Sequence, residues 1–193
     1  MELLLQRNEV ILAEAAVVEP LRRSGKVALH PRLLHAPLIY ETRGRRELEA
    51  IYRTYVEVAA RAGLPILLGT PTWRANRERV KEAGLPDSVN ADAVAFLKRL
   101  GEGRASEGPP IKIGGVIGCR NDCYRPEQGL SAGEAESFHQ WQVDQLAEAG
   151  ADFLIAETLP NAAEASGIAR AMAKTATPYF ISFVIDRKGR VPV

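Results

Sequence analysis

Five apolar runs, each too short for a typical helix and most followed by a longer stretch of helical period, restrict this chain more than any other feature. They are EVILAEAAV (9 to 17), LPILLGT (64 to 70), IKIGGVIG (111 to 118), ADFLIAE (151 to 157) and PYFISFVI (178 to 185). Strands with near-continuous apolar runs are covered on both faces, the situation in parallel sheets made of βα units. The segment ELEAIYRTYVEVAARAG (47 to 63) puts Leu48, Ile51, Tyr52, Tyr55, Val56 and Ala59 on one helical face, and SAGEAESFHQWQVDQLAEAG (131 to 150) opens with Ser131 and Glu134 at capping-box spacing. Gly63 and Gly150 end the two segments as left-handed caps. The expectation is an α/β chain forming a single domain over residues 1 to 193, with parallel strands in the order of a TIM-type (β/α) barrel that is incomplete, about five of its eight units being present.

Composition excludes several partners. A formal net charge of +1 over 193 residues, with Lys and Arg interleaved among Asp and Glu, offers no stripe for nucleic acid and none for an anionic membrane. The densest basic cluster, RGRRELEAIYR (43 to 53), reads as a solvated helix start. No run approaches the ~18 apolar residues of a membrane span. The N-terminal MELLLQRNEVILAEA is interrupted by Gln6, Arg7, Asn8 and Glu9, so no signal peptide is expected and a cytoplasmic location follows. Cys119 and Cys123 are too few and too close in sequence for a disulfide framework.

A weak internal repeat pairs AARAGLPILLGTPT with LAEAGADFLIAETL and sets Thr70 opposite Glu157, each at the C-terminal end of its strand. In parallel βα folds that end binds ligands. A carboxylate there is costly unless paired, and a cationic ligand would pair it. A neighbouring Arg could do the same, and in TLPNAAEA either Thr158 or Asn161 could cap the following helix.

Three stretches carry a family resemblance: TPTWRANRERV (70 to 80), the run from GGVIGCRNDCYRPEQG to AETLPNAAEA (114 to 165), and PYFISFVIDRKGRV (178 to 191). They resemble the homocysteine S-methyltransferase family, the homocysteine-binding domain shared by S-methylmethionine-dependent and betaine-dependent enzymes. The resemblance implies a (β/α)8 barrel in which a zinc ion, held by cysteine thiolates, lowers the pKa of the homocysteine thiol for attack on a methyl donor. It implies that Glu157 receives the homocysteine amino group, with Thr70, Thr72 and Trp73 lining the same pocket. Glu19, the retained acid of the opening motif, completes the implied substrate-binding set.

The departures are equally specific. Where the family opens with I-L-D-G-x-x-G-T-E-L, this chain reads ILAEAAVVEPL (11 to 21), with Ala13 at the aspartate and Glu14 and Val17 at glycines. Glu14, one residue along a strand, is expected on the opposite face, where it could not replace the aspartate. The family's zinc ligands follow the sixth strand and lie near its C-terminus, beyond the fifth run, so zinc is not expected in this chain and no catalytic residue is assigned. Cys119 and Cys123 lie in a loop that shapes the pocket in a subgroup of the family, and of the histidines His30, His35 and His139 none completes a ligand set with them. Two readings stay open: a piece of a homocysteine methyltransferase, inactive as these 193 residues, or a diverged, non-catalytic paralogue serving binding or assembly. A third, another barrel enzyme with Glu157 as general base, lacks a Lys or His partner at a strand end. Homocysteine and a methyl donor are the implied small-molecule partners, and the uncovered edges of a partial barrel lead to the expectation of a homo-oligomer.

Overall fold

Five parallel strands pair side by side in the order in which they leave the chain, and the sheet curls into a half-barrel. The computed structural model describes residues 1–102 and 108–191. The elements are α1 (Glu2–Arg7), β1 (Leu12–Ala13), α2 (Val18–Ser24), a 3₁₀ turn over Ala36–Tyr40, α3 (Thr42–Ala62), β2 (Ile66–Gly69), α4 (Arg77–Glu82) and α5 (Val89–Glu102). They continue with β3 (Ile111–Ile117), a 3₁₀ turn over Pro126–Gln128, α6 (Ala132–Glu148), β4 (Phe153–Leu159), α7 (Ala162–Ala173) and β5 (Tyr179–Phe183). This is the incomplete TIM-type barrel that the alternating runs predict. Among the described residues no helix is long and apolar enough to cross a membrane.

Small residues in the strands set the layer spacing. A side chain at Gly115 of β3 would collide with Leu146 of α6 and Leu154 of β4, so its absence lets that helix sit directly on the sheet. At Gly114 the space belongs to the ring of Phe153, which meets Phe180 edge to face at 5.6 Å. Outside the sheet, Leu48, Tyr52, Val56 and Ala59 of α3, Leu97 of α5, Val143 and Leu146 of α6 and Ile168 and Met172 of α7 are buried. Each such aliphatic side chain contributes about 1.5–3 kcal/mol by leaving water.

The helix signals hold in detail. Ser131 and Glu134 form the reciprocal capping box of α6, and Gly63 and Gly150 take left-handed φ of 66° and 75°. Of the two candidates before α7, Asn161 is the cap: its side chain accepts from Glu164 N at 2.9 Å. The first run contracts most. Only Leu12–Ala13 of residues 9 to 17 are strand, because Val17 already has helical dihedrals as the N-cap of α2 and residues 14 to 16 turn to form a wall.

Candidate active site

At the C-terminal ends of the strands a cavity of about 290 Å³ opens, walled by Glu14, the segment 15 to 19, His35, Tyr52, Gly69, Thr70, Trp73, Val116, Glu157 and Thr158. Glu157 ends the regular part of β4. The β4–β5 register shifts between Ala156 and Leu159, and Thr158 sits there at φ 56°, a conformation side-chain-bearing residues rarely adopt. Thr158 N donates to Ser182 Oγ at 3.2 Å, and Trp73 Nε1 donates to the Glu157 carbonyl at 3.3 Å. The irregular strand end is thereby held from two sides.

The expectation for Glu14 is corrected. Glu14 lines the same cavity as Glu157. Alternation between faces applies along a regular strand, and regular β1 covers only Leu12–Ala13, with Glu14 N making its last bond to β2, to Leu67 O at 3.0 Å. Gly69 makes the room, since a side chain there would meet the Glu14 carboxylate and Val116. Two tyrosines of α3 fix the surroundings: Tyr52 Oη donates to Gly69 O at 2.8 Å and Tyr55 Oη to Ala16 O at 3.0 Å.

Among the described residues neither carboxylate forms an ion pair. Arg22, on the same wall, is bound to Glu19 at 2.6 Å. Burial therefore pushes the Glu14 pKa up to about 7, against backbone hydrogen bonding from Gly69, and the charge of Glu157 raises it further. Burial raises Glu157 as well. His35, buried at the cavity wall and held neutral with a pKa of about 4 by desolvation, has an Nδ1 without a partner among the described residues. It is an imidazole that the sequence did not single out, since HPRLLHAPLIY carries no strand-end signal.

The other residues expected at the site separate into groups. Thr70 lines the cavity, but its Oγ1 accepts from Val116 N at 2.9 Å and lies 2.7 Å from Thr72 Oγ1. Thr72 is fully buried off the cavity and donates to Val116 O at 2.7 Å. Together the threonines tie the end of β2 to β3. Asn76 caps α4, its side chain accepting from Arg79 N. Trp73 lies at the cavity with the Arg74 guanidinium 4.2 Å above its ring, and Gly118 gives it space. Glu19 reaches only the rim, its carboxylate held on the surface of α2 by Arg22 and by Arg23 at 2.9 Å.

Beneath this layer lies a buried polar network. Gln142 Nε2 donates to Thr72 O at 2.8 Å and to Asn90 Oδ1 at 3.2 Å, while Asn90 Nδ2 donates to Ala75 O at 3.1 Å. Glu164, fully buried, accepts from Arg120 N at 2.8 Å and Leu130 N at 3.3 Å and lies 3.2 Å from His139 Nε2. It pins both ends of the loop between β3 and α6.

Residues 1–192 match the family model described as homocysteine S-methyltransferase. The chain belongs to the homocysteine S-methyltransferase family. It is similar in fold to the homocysteine methyltransferase MmuM from Escherichia coli. The metallated form superposes with a TM-score of 0.76 at 21% identity, over 95% of this chain and 66% of that one. The oxidized form gives 0.76 at 20% identity over 94% and 64%, and the apo form 0.65 at 19% identity over 94% and 62%. This chain thus spans a little under two thirds of the length of those structures. No curated protein sequence matches it significantly.

A metallated relative makes the donor set of this family member worth testing. Among the described residues no three His, Cys, Asp or Glu side chains converge to hold a metal ion. Cys119 and Cys123 are both buried. Burial, then the charge of Glu164, pushes the Cys119 thiol up to about 12, and its Sγ donates to Asn121 O at 3.3 Å. Burial and the Asp122 carboxylate raise Cys123 too. A catalytic zinc takes about three protein ligands, and no third donor joins these two thiols among the described residues, so they do not make up a zinc site.

Proposed function

We propose that this chain forms the amino-acid-binding part of a homocysteine methyl-transfer site, with homocysteine and a methyl donor as its small-molecule partners. The observation that carries this reading is the pair Glu14 and Glu157, two largely desolvated carboxylates walling one cavity with no cationic side chain paired to either among the described residues. An ammonium group entering between them forms charge-assisted hydrogen bonds and relieves their repulsion. Trp73 and Val116 supply an apolar wall for the side chain of the ligand.

Binding is distinct from activation. A free homocysteine thiol, with a pKa near the ~8.5 of cysteine, is mostly protonated at neutral pH. The described residues provide no evident means of ionising it: His35 is neutral and buried, and both cysteines are protonated. Weak homocysteine binding without turnover is the expected behaviour of these residues. The second reading, a diverged binding module, is favoured by the altered opening motif, in which Ala13 stands at the family's aspartate and Glu14 and Val17 at its glycines.

Calorimetric titration of homocysteine and of N-acetylhomocysteine tests the proposal. Homocysteine should bind, the acetylated form, which has no ammonium, should not, and Glu157→Gln should weaken homocysteine about tenfold or more. Equal binding of the two compounds would remove the carboxylate pair as the recognition element. Methionine formation measured with S-methylmethionine and with betaine then separates an enzyme from a binding module.

A further inference from the structure

A second cleft, of about 290 Å³ and lined by Pro31, Arg32, Leu34, Arg74 and Arg79, shares no lining residue with the carboxylate cavity. Its three cations come from three separate places: Arg32 from the turn before the first 3₁₀ segment, Arg74 from the loop after β2 and Arg79 from α4. Among the described residues no acidic one lines it. The nearby acids are engaged, Glu82 by Arg32 at 2.5 Å and Glu78 by Arg120 at 3.1 Å.

The arginines are held in place by backbone. Arg74 donates to Asn121 O at 2.9 Å and Arg79 donates to Arg120 O. Arg32 sits on a turn closed by reciprocal backbone bonds of 2.9 Å between His30 and Leu34. That turn is braced by His30 Nδ1, which accepts from Arg32 N and Leu33 N at 3.2 and 3.1 Å, and it requires φ 54° at Leu34. Arg79 Nη1 is shielded from solvent and has no hydrogen-bond partner among the described residues. Burial and the like charges of Arg74 and Arg32 act against the charged form of Arg79, opposed in part by Glu78.

Like charges gathered around one space are relieved by an anion. Arg32 keeps donors beyond the one that pairs with Glu82, and Arg74 beyond the one given to Asn121 O, so guanidinium groups from three directions suit the several oxygens of a tetrahedral dianion better than a planar monoanion. We infer that the cleft between Arg32, Arg74 and Arg79 binds a phosphate group, free or carried by a phosphomonoester. The site is independent of the carboxylate cavity, so either can fail alone.

Inorganic phosphate titrated calorimetrically at low ionic strength is expected to fill one saturable site whose affinity falls as salt is added. Arg79→Gln should weaken it about tenfold or more. Because Arg79 also holds the loop before α6, Arg32→Gln, whose side chain is ion-paired only with Glu82 among the described residues, should give a loss in the same direction. Glu157→Gln should leave phosphate binding unchanged and so separates this site from the first. Phenyl phosphate binding more tightly than phosphate would show that the group arrives on a larger molecule, and the reverse that it arrives free. Absence of saturable binding, succinate binding as tightly as phosphate, or an affinity that neither arginine substitution alters would overturn the assignment.

Discussion

Glu14 and Glu157 face one cavity from the ends of β1 and β4, and the charge of Glu157 raises the pKa of Glu14. Neighbouring acids that share a site without a cation resist ionising together. The pair therefore behaves as one receptor with a coupled titration.

The first prediction concerns proton release. In the ligand-free protein Glu14 is about half protonated at pH 7, and an ammonium ligand favours its ionised form. Affinity for a cationic amino acid should rise between about pH 5.5 and 8. Titrations in buffers of different ionisation enthalpy should show up to one proton leaving, and in Glu14→Gln both effects should vanish. A flat pH profile in the wild type would place Glu14 outside the binding event.

The same group shapes ligand-free stability. The Glu14 pKa is raised on folding from 4.5 to about 7, so the folded state binds the proton more tightly than the unfolded chain. Its contribution is fully present below pH 4.5 and is lost as pH rises through 7. Chemical denaturation should find a fall of roughly 1–3 kcal/mol across that window, absent in Glu14→Gln.

Glu164 gives the opposite slope. Burial opposes its ionisation, but hydrogen bonds from His139, Arg120 N and Leu130 N outweigh it and hold its pKa below 4.5. Its stabilising effect is present above pH 4.5 and lost as pH falls through the depressed value. Glu164→Ala should cost about 3 kcal/mol or more, since the donors it serves are left without an acceptor. Hydrogen exchange at Arg120 and Leu130 should accelerate in the variant, and unchanged protection there would show that the loop is held by other contacts.

Zinc offers a direct check on the two cysteines. With the Cys119 thiol pushed up to about 12 and no third ligand converging among the described residues, equimolar zinc should shift the melting temperature by less than about 1 °C. Cys119→Ala and Cys123→Ala should leave metal content unchanged. A stabilisation lost in either variant would identify these thiols as ligands.

Much of this architecture was legible because its signals are local. Apolar runs such as IKIGGVIG, the Ser131 and Glu134 box and the glycine at 150 each act within a few residues, and Glu157 announced itself as a charge ending an apolar strand. The place of Glu14 was not legible, because it depends on where β1 stops and on Gly69, 55 residues away in sequence and adjacent in space. Helices α4 and α5, whose stretch holds none of the five runs, went unmarked as well. His35, Asn90 and Gln142 also gave no signal, since a polar residue within a helix or turn looks solvated until its buried partners are known. Thr72 shows the reverse case: a residue placed in the pocket by resemblance serves the strand connection instead.

Thr158 ties the shape of the carboxylate cavity to a local penalty. Its left-handed backbone sits where β4 loses register with β5, immediately after Glu157, and holding a β-branched residue there costs about 1–3 kcal/mol. Glycine at this position would remove the penalty and also free the strand end to sample other directions. Selection for heat resistance alone would thus drift toward glycine, whereas selection for ligand capture would keep the threonine. Position 158 is where thermal tolerance and recognition are set against each other in this half-barrel.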